Sequence, residues 1–315
     1  MESRLKLTTL LSLPILALSA AIAAPIDIPL VTVGNAGNAA NPTTGYGSVS
    51  YEYQIGMYEV TSGQYASFLN AIAKNDLYAL YNTSMGGGYG CGIVRTGEAG
   101  NYSYTSITPN KPVNWVNFWS AARFTNWLTT GDTEHGVYEL NGIVNPVNGS
   151  VVRNEVAWLA GGFALATEDE WYKAAYYDPT LNGGGYWKYP TQSNTITTDD
   201  ANYDSAHRDG NTNLTDVGYF SDNPSYYGTF DQAGNLMEWN ETIFSDGNNR
   251  GLSGGSYGHS SDYIESEAIV SGIPNAIGDF VGFRVVTIVP VPEPSTYAAV
   301  FGILALGVAV YRRRK

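Results

Sequence analysis

The segment Gly234-Asn235-Leu236-Met237-Glu238-Trp239 decides the fold, together with the segments Gly254-Gly255-Ser256-Tyr257 and Gly282-Phe283-Arg284 that follow it. The paired glycines are typical of a turn. An arginine in the last strand of a compact domain is expected to pair with a buried carboxylate or with backbone carbonyls, because its guanidinium is always charged and carries five donors. We therefore interpret Trp239, the glycine turn and Arg284 as determinants of the fold, with a catalytic Arg284 as the alternative.

Three further blocks precede these segments. They are Tyr58-Glu59-Val60-Thr61 with Phe68-Leu69-Asn70, Pro112-Val113-Asn114-Trp115-Val116 with Asn126-Trp127-Leu128, and Leu165-Ala166-Thr167-Glu168-Asp169-Glu170-Trp171 with Lys173-Ala174-Ala175. In this order, the six blocks resemble the formylglycine-generating-enzyme family, also called the sulfatase-modifying-factor family, with Ala166 in place of the family's proline. The resemblance covers roughly residues 50–287. It implies an α+β fold of the formylglycine-generating-enzyme type, which is C-type-lectin-like and has little regular secondary structure.

Two cysteines of the oxidase members are missing from this chain. Those members carry them just after the Gly-Gly-Ser segment, where this sequence has His259 and Ile264. The resemblance therefore implies the fold without the oxidase chemistry, and we expect no copper and no catalytic residues. A ligand groove formed by Ser256, Tyr257 and His259 is a further hypothesis. A three-histidine metal site is not favoured, because His135, His207 and His259 lie in unrelated blocks.

The resemblance also implies two structural calcium sites. The first would use the Asn202 and Asp209 side chains with the carbonyls of Tyr203 and Asn211, and the second the Asp231 and Glu238 side chains with the carbonyls of Gly234 and Leu236. Calcium prefers such mixtures of carboxylate and carbonyl oxygens. The alternative for both segments is turn formation, in which Asp and Asn side chains bond to their own backbone.

Capping patterns predict the helices. Thr61-Ser62-Gly63-Gln64 and Thr167-Glu168-Asp169-Glu170 are capping boxes, and Asn117 is suited to begin a helix that runs through Leu128. Alternation predicts strands at 51–55 and 283–288, and a first strand near 28–31. The aromatic residues on the helices are expected in the core rather than on a ligand surface.

Composition favours one loop-rich domain and excludes some partners. The chain has 315 residues with 36 Gly, 24 Tyr and 7 Trp, a mixture that fits short strands and loops around an aromatic core. The chain has 16 basic and 29 acidic residues, of which six basic and two acidic residues lie in segments 1–24 and 293–315. The remaining residues therefore include 10 basic and 27 acidic residues. Such an acidic surface repels nucleic acid and anionic lipid. We therefore expect no nucleic-acid partner.

The single cysteine, Cys91, cannot form an internal disulfide bond. It lies in the glycine-rich segment 86–92, which is expected to be a loop. A reactive thiol and an incidental residue are both compatible with this position. We favour the incidental role, because no group that would lower the thiol pKa is visible in the sequence.

The two ends carry targeting signals. Residues 1–24 have a basic start, an apolar stretch and the small-x-small site Ala21-Ile22-Ala23, which together predict a cleaved signal peptide. Residues 289–315 combine Pro292-Glu293-Pro294 with an apolar run and a basic terminus, an arrangement that resembles the PEP-CTERM sorting signal. That resemblance implies the secretion machinery and an exosortase-type protease as partners. Its apolar run is expected to form a short transmembrane segment, and the alternative interpretation of this end is a simple tail anchor.

These observations together predict an exported domain at residues 25–288 that acts at the cell envelope, at the cell surface or outside the cell. We expect a non-catalytic, calcium-stabilised binding or surface-structural module whose ligand is an envelope polysaccharide or a protein. A divergent metal-dependent oxidase is one alternative, and it is disfavoured by the missing cysteine pair. A carbohydrate-binding protein of the envelope is the other, and the sequence contains no diagnostic motif for it.

Overall fold

The computed structural model describes residues 26–207 and 213–288. The predicted signal peptide and sorting signal lie outside these residues. The described chain forms short helices and strands joined by long irregular segments, which confirms the α+β class. The longer helices are α1, α2, α3 and α4, at Ser62–Ile72, Phe118–Thr130, Glu155–Leu159 and Glu168–Tyr176. Single 3-10 turns occur at Thr83–Gly86, Leu181–Gly183 and Ser261–Tyr263. None of the described helices is long and apolar enough to cross a membrane.

Two four-stranded sheets and two small hairpins make up the strands. The first sheet is antiparallel and has the order β1-β2-β12-β5, from Leu30–Val33, Tyr53–Gly56, Val285–Ile288 and Phe163–Leu165. The second has the order β10-β9-β8-β11, from Val270–Gly272, Arg250–Ser253, Met237–Ile243 and Val281–Gly282, and its β8 and β11 are parallel. The hairpins pair β3 with β4, at Ile93–Thr96 and Ser103–Ser106, and β6 with β7, at Tyr177–Asp178 and Gly185–Tyr186.

Local capping sets the helix starts, as the sequence predicts. Thr61 and Thr167 both form complete capping boxes, with Gln64 and Glu170 as the third helical residues. The Asn117 side chain accepts from the amide of Ser120 and begins α2. This helix ends at Thr130, two residues beyond the predicted end, where Gly131 adopts the left-handed conformation of a C-terminal cap.

An aromatic core joins the first two helices to the last strand region. Tyr65 and Phe68 of α1 pack on Phe124 and Trp127 of α2 and on Phe283, with neighbouring ring centroids 5.3–6.4 Å apart. All five side chains are buried. The expectation that the helix aromatics belong to the core is therefore correct for these residues.

The predicted alternation of residues 283–288 is wrong. All four residues of β12 are buried, and so is Arg284. The reason is that β12 is a central strand between β2 and β5, so both of its faces are covered. The predicted strand at 51–55 begins two residues later, at Tyr53, and the first strand also begins later than expected, at Leu30.

The two residues between β11 and β12 connect the two sheets. Phe283 enters the aromatic core, and Arg284 lies between strands of different sheets. The chain thus brings one guanidinium close to both β2 and β8, and this position defines the acidic centre described next.

Candidate functional site

Asn235 ties together four distant segments at the start of β8. Its Nδ2 donates to Glu59 Oε2 at 3.0 Å, and its Oδ1 accepts from Asn202 Nδ2 at 3.1 Å and from the Thr215 amide at 3.2 Å. Its backbone amide donates to the Asn202 carbonyl, and its carbonyl accepts from the Tyr257 amide at 2.9 Å. This side chain is therefore structural, since every polar atom it offers is used inside the fold.

Gly234 lets this segment approach residue 202 closely. A Cβ atom on Gly234 would lie 2.1 Å from the Asn202 carbonyl oxygen, and its φ of 78° is one that glycine adopts without strain. Its amide donates to the Gly254 carbonyl at 2.8 Å. The glycine therefore sets the contact between the segments that carry the two predicted calcium sites.

A buried acidic centre is formed by Glu59, Asp231, Glu238 and Arg284. Arg284 donates from Nε to Glu238 Oε2 at 2.5 Å and from Nη2 to Glu238 Oε1 at 2.6 Å. It also donates to the carbonyls of Gly56 at 3.0 Å and Phe230 at 2.9 Å. Arg284 thus pairs with a carboxylate and with carbonyls, as its position in the sequence predicts.

The remaining carboxylates are bonded mainly to backbone and amide donors. Glu59 accepts from Asn235 Nδ2 and from the Leu236 amide, and Asp231 Oδ2 accepts from the Gly218 amide at 2.6 Å. Trp171 Nε1 donates to Glu238 Oε2 at 2.7 Å. Glu238 Oε2 therefore receives two donors, whereas Oε1 receives one and keeps a lone pair.

The charges in this centre do not balance. Three carboxylates face one guanidinium, so two negative charges remain uncompensated when all are ionised. Burial raises the pKa of Glu59 well above its usual value, and repulsion from Asp231 and Glu238 raises it further. Burial also raises the pKa of Asp231 to about 6. Without a counter-charge, the raised pKa values favour protonation of Glu59 and, below about pH 6, of Asp231.

The predicted second calcium site overlaps this acidic centre in the sequence. Asp231 and Glu238 are both in the centre, and Gly234 and Leu236 lie between them in the chain. A divalent cation would supply the two missing positive charges, and hard oxygen donors suit calcium. Within the described residues, no group of three His, Cys, Asp or Glu side chains is arranged to hold a metal ion, so the site would depend on the backbone carbonyls.

The predicted first calcium site is only partly described. Asn202 is buried, and its Oδ1 has no hydrogen-bond partner among the described residues, while its Nδ2 donates to the Asn213 carbonyl and to Asn235. A buried amide oxygen without a partner is suited to a cation. Tyr203 follows Asn202 and is buried. Asp209 and Asn211 lie outside the described residues.

The three residues of the hypothesised ligand groove lie together. Ser256 Oγ and His259 Nδ1 are 2.7 Å apart, and the His259 ring lies 4.5 Å from the exposed Tyr263 ring, centroid to centroid. The edge of Phe280 faces the histidine at 6.0 Å, and the Tyr257 hydroxyl donates to Asp279 Oδ2 at 2.7 Å. Burial lowers the pKa of His259, so its ring is neutral at pH 7.

The positions that match the missing cysteines have different environments. His259 is half-buried, whereas Ile264 is fully buried in a small apolar cluster with Tyr189, Ala201 and Ala233. A buried isoleucine supplies neither a thiolate nor an oxygen or nitrogen donor. This pair therefore cannot hold a soft metal ion as two thiolates would.

Cys91 is closer to this region in space than its sequence position suggests. The Asn114 side chain accepts from the Cys91 amide at 2.9 Å and donates to the Asp279 carbonyl at 2.7 Å, and Asp279 in turn bonds Tyr257. The thiol itself is buried, and burial raises its pKa to about 11. Thiolate is therefore scarce at neutral pH, which supports the incidental role for this residue.

Several residues of the site have no signal in the sequence. Glu59 lies in the Tyr58–Thr61 block, yet its burial beside Asp231 depends on contacts with residues about 176 positions away. Tyr263, Phe280 and Asp279 come from loops without a periodic pattern.

Comparison with known proteins identifies the family of this chain. The family model described as sulfatase-modifying factor enzyme 1-like domain matches residues 31–289, and the PEP-CTERM protein-sorting motif matches residues 290–315. The chain therefore belongs to the formylglycine-generating-enzyme, or sulfatase-modifying-factor, family. No curated protein sequence matches the chain.

Solved structures share the fold at low sequence identity. Treponema denticola variable protein 1 is 20% identical with a TM-score of 0.51, and the match covers 84% of this chain and 96% of that one. The crystal structure of CarF is 21% identical with a TM-score of 0.57, and the match covers 84% of this chain and 99% of that one. At such identities these likenesses show the fold alone.

The sorting motif implies handling by an exosortase, as predicted, and export to the cell envelope or surface. The short transmembrane segment predicted within residues 289–315 lies outside the described residues.

Proposed function

We propose that this exported member of the family is non-catalytic and acts as a calcium-stabilised binding or surface-structural module at the cell envelope. The family and the sorting motif supply the fold and the destination. We add to these findings that the protein is non-catalytic, is stabilised by calcium and binds a ligand or has a structural role.

The observation that carries the proposal is the pair His259 and Ile264. The oxidase members carry two cysteines at the matching positions, and two thiolates are the ligands that suit Cu(I). Here one position is a neutral histidine held by Ser256, and the other is a fully buried isoleucine. Cys91 cannot replace them, because its thiol is buried and protonated.

The acidic centre supports a role for calcium. The centre lies where the two sheets meet, and Arg284 alone leaves two carboxylates uncompensated. A cation that binds only the folded form stabilises it by mass action, by about 2.7 kcal/mol at 100 times Kd. A loop-rich domain without a disulfide benefits from such a contribution, because ordering each residue opposes folding by roughly 1–2 kcal/mol.

An oxidation assay tests the non-catalytic role. The purified protein is given copper, oxygen and a peptide with a sulfatase-type cysteine segment, and the peptide mass is followed. We expect no formylglycine product. A cysteine oxidase of the same family serves as the positive control.

The same assay addresses the alternative of a divergent metal-dependent oxidase. Parallel reactions contain iron or manganese instead of copper. Formylglycine formed above the metal-free control with any of these metals would refute the non-catalytic proposal, and loss of that product in a His259→Ala variant would locate the activity.

A further inference from the structure

Two adjacent cavities share a wall formed by His207 and Tyr219. The larger has a volume of about 470 Å³ and is also lined by Lys111, Thr215 and Asp216. The smaller, of about 310 Å³, is lined on its other side by Asp199, Asp222 and Asn223. Both volumes are in the range of small-molecule sites. Neither cavity includes a residue of the groove around His259 or of the acidic centre.

The shared wall is an aromatic surface in which Tyr219 is exposed and His207 is half-buried. Tyr219 is 61% exposed, although its ring packs edge-on against Phe220, with centroids 5.0 Å apart. His207 packs edge-on against Phe220 at 5.1 Å, and its Nε2 donates to the Thr198 carbonyl at 2.5 Å. The Tyr219 ring therefore keeps its orientation without being covered.

Two consecutive turns hold this wall in place. The Tyr219 amide donates to the Asp216 carbonyl at 3.1 Å, and the Asn223 amide donates to the Phe220 carbonyl at 3.0 Å. The residues at the outer ends of these turns, Asp216 and Asn223, line the larger and the smaller cavity, respectively. A site whose parts are ordered before binding loses less entropy when the ligand arrives.

From this arrangement we propose that the two cavities bind neighbouring units of an uncharged oligosaccharide, with Tyr219 as the platform between them. A sugar ring has an apolar face of C–H groups, which packs on an aromatic ring, and hydroxyls, which donate to carboxylates and amide oxygens. Two cavities divided by one platform suit a ligand with a repeated unit. This inference rests on the proposed binding role and names its site and ligand class.

Charge decides against other polymers. The smaller cavity is lined by two acidic residues, Asp199 and Asp222, and the larger by Asp216 together with Lys111. The surrounding domain has 27 acidic and 10 basic residues outside the two terminal segments. Acidic polysaccharides and nucleic acids are repelled by such a surface. Uncharged sugars are not repelled by this surface, and their hydroxyls can donate hydrogen bonds to the carboxylate oxygens.

The test is a binding measurement on the full exported chain. A set of neutral, acidic and amino oligosaccharides is screened, and the affinity of each binder is measured by calorimetry. We expect neutral oligosaccharides to bind and Tyr219→Ala to weaken binding about tenfold or more, because the aromatic platform of the site is lost. Tyr219→Phe keeps the ring and is expected to stay within about twofold. Tyr226→Ala, an exposed tyrosine that lines neither cavity, is the matched control.

The outcomes separate this inference from the proposed function. Neutral sugars that bind equally well to wild type and Tyr219→Ala would place the site elsewhere and leave the binding role intact. Binding of acidic or amino sugars only, or of no sugar, would overturn the inference, while the oxidation assay still decides the non-catalytic role. A thermal melt of each variant checks its folding, and Asp222→Asn, on the exposed side of the smaller cavity, gives a second test that leaves the ring cluster untouched.

Discussion

Removal of the Arg284 guanidinium tests the acidic centre most sharply. Arg284 is 1% exposed, and it donates to both oxygens of Glu238 and to two backbone carbonyls of other segments. In Arg284→Met, a side chain of similar length remains, but Glu238, Asp231 and Glu59 are left without a positive partner. Breaking a buried pair by removing one partner destabilises a protein by about 3–5 kcal/mol.

A second estimate of the same loss comes from proton uptake. A buried carboxylate that has lost its partner can bind a proton, and for an ordinary glutamate this opposes folding at pH 7 by about 1.4 kcal/mol for each of the roughly 2.7 pH units above its pKa. The result, about 4 kcal/mol, agrees with the first estimate. It also predicts that the stability lost in Arg284→Met is about 2.7 kcal/mol smaller at pH 5 than at pH 7.

Urea unfolding of wild type and Arg284→Met at pH 7 and pH 5, in calcium-free buffer, measures both quantities. The expected decrease at pH 7 corresponds to a melting temperature roughly 10 °C lower. Arg95→Met is the control, because the Arg95–Asp76 pair at 3.4 Å is partly exposed and contributes at most about 1 kcal/mol. A loss below about 1 kcal/mol at pH 7, or a loss that does not change with pH, would refute the reasoning. A double variant with Glu238→Gln is expected to recover part of the stability.

Three further predictions concern the cation, pH and sorting. Calcium is expected to raise the melting temperature by about 5–10 °C over chelator at 100 times Kd, with magnesium much less effective, and Asp231→Asn to abolish most of this rise while the exposed Asp262→Asn keeps it; a melt that is indifferent to chelator would remove the calcium site. The folded-state pKa values of Glu59 and Asp231 are raised, so in calcium-free protein these two groups stabilise the fold at low pH. Their contribution decreases as the pH rises from about 4 through the Asp231 pKa of about 6, and added calcium is expected to offset this decrease. If calcium-free wild type instead gained stability over this pH range relative to Asp231→Asn, the interpretation of the charges would be contradicted. Intact-mass measurement of protein from the native host is expected to show loss of residues 297–315, whereas a chain that still ends in Lys315 would indicate a simple anchor.

Local signals in the sequence predict the helices well, because capping depends on residues three or four positions apart. Thr61 with Gln64 and Thr167 with Glu170 form the predicted boxes. The predicted alternation of buried and exposed residues is wrong for β12, because β2 and β5, which lie far away in the chain, cover both of its faces. The sequence shows which residues tend to begin an element and contains little about what covers it.

In the candidate site, too, local features could be predicted from the sequence and long-range contacts could not. Arg284 is expected to pair with a carboxylate and with carbonyls, and it does so. The third carboxylate, Glu59, could not be assigned to the centre, since its neighbours come from the opposite end of the chain. The wall of Tyr219 and His207 could not be predicted either, because nothing in the sequence links two aromatic residues twelve positions apart until the turns bring them together.

This chain retains the fold of its family but lacks the thiolate pair that would bind copper. A Cu(I) competition titration of the full chain against a chromophoric chelator, under reducing conditions, tests this claim directly. We predict that wild type and Cys91→Ser retain equally little copper, because His259 and Ile264 provide no thiolate and Cys91 is buried. One equivalent of tightly held copper in wild type that is lost in His259→Ala would contradict the claim.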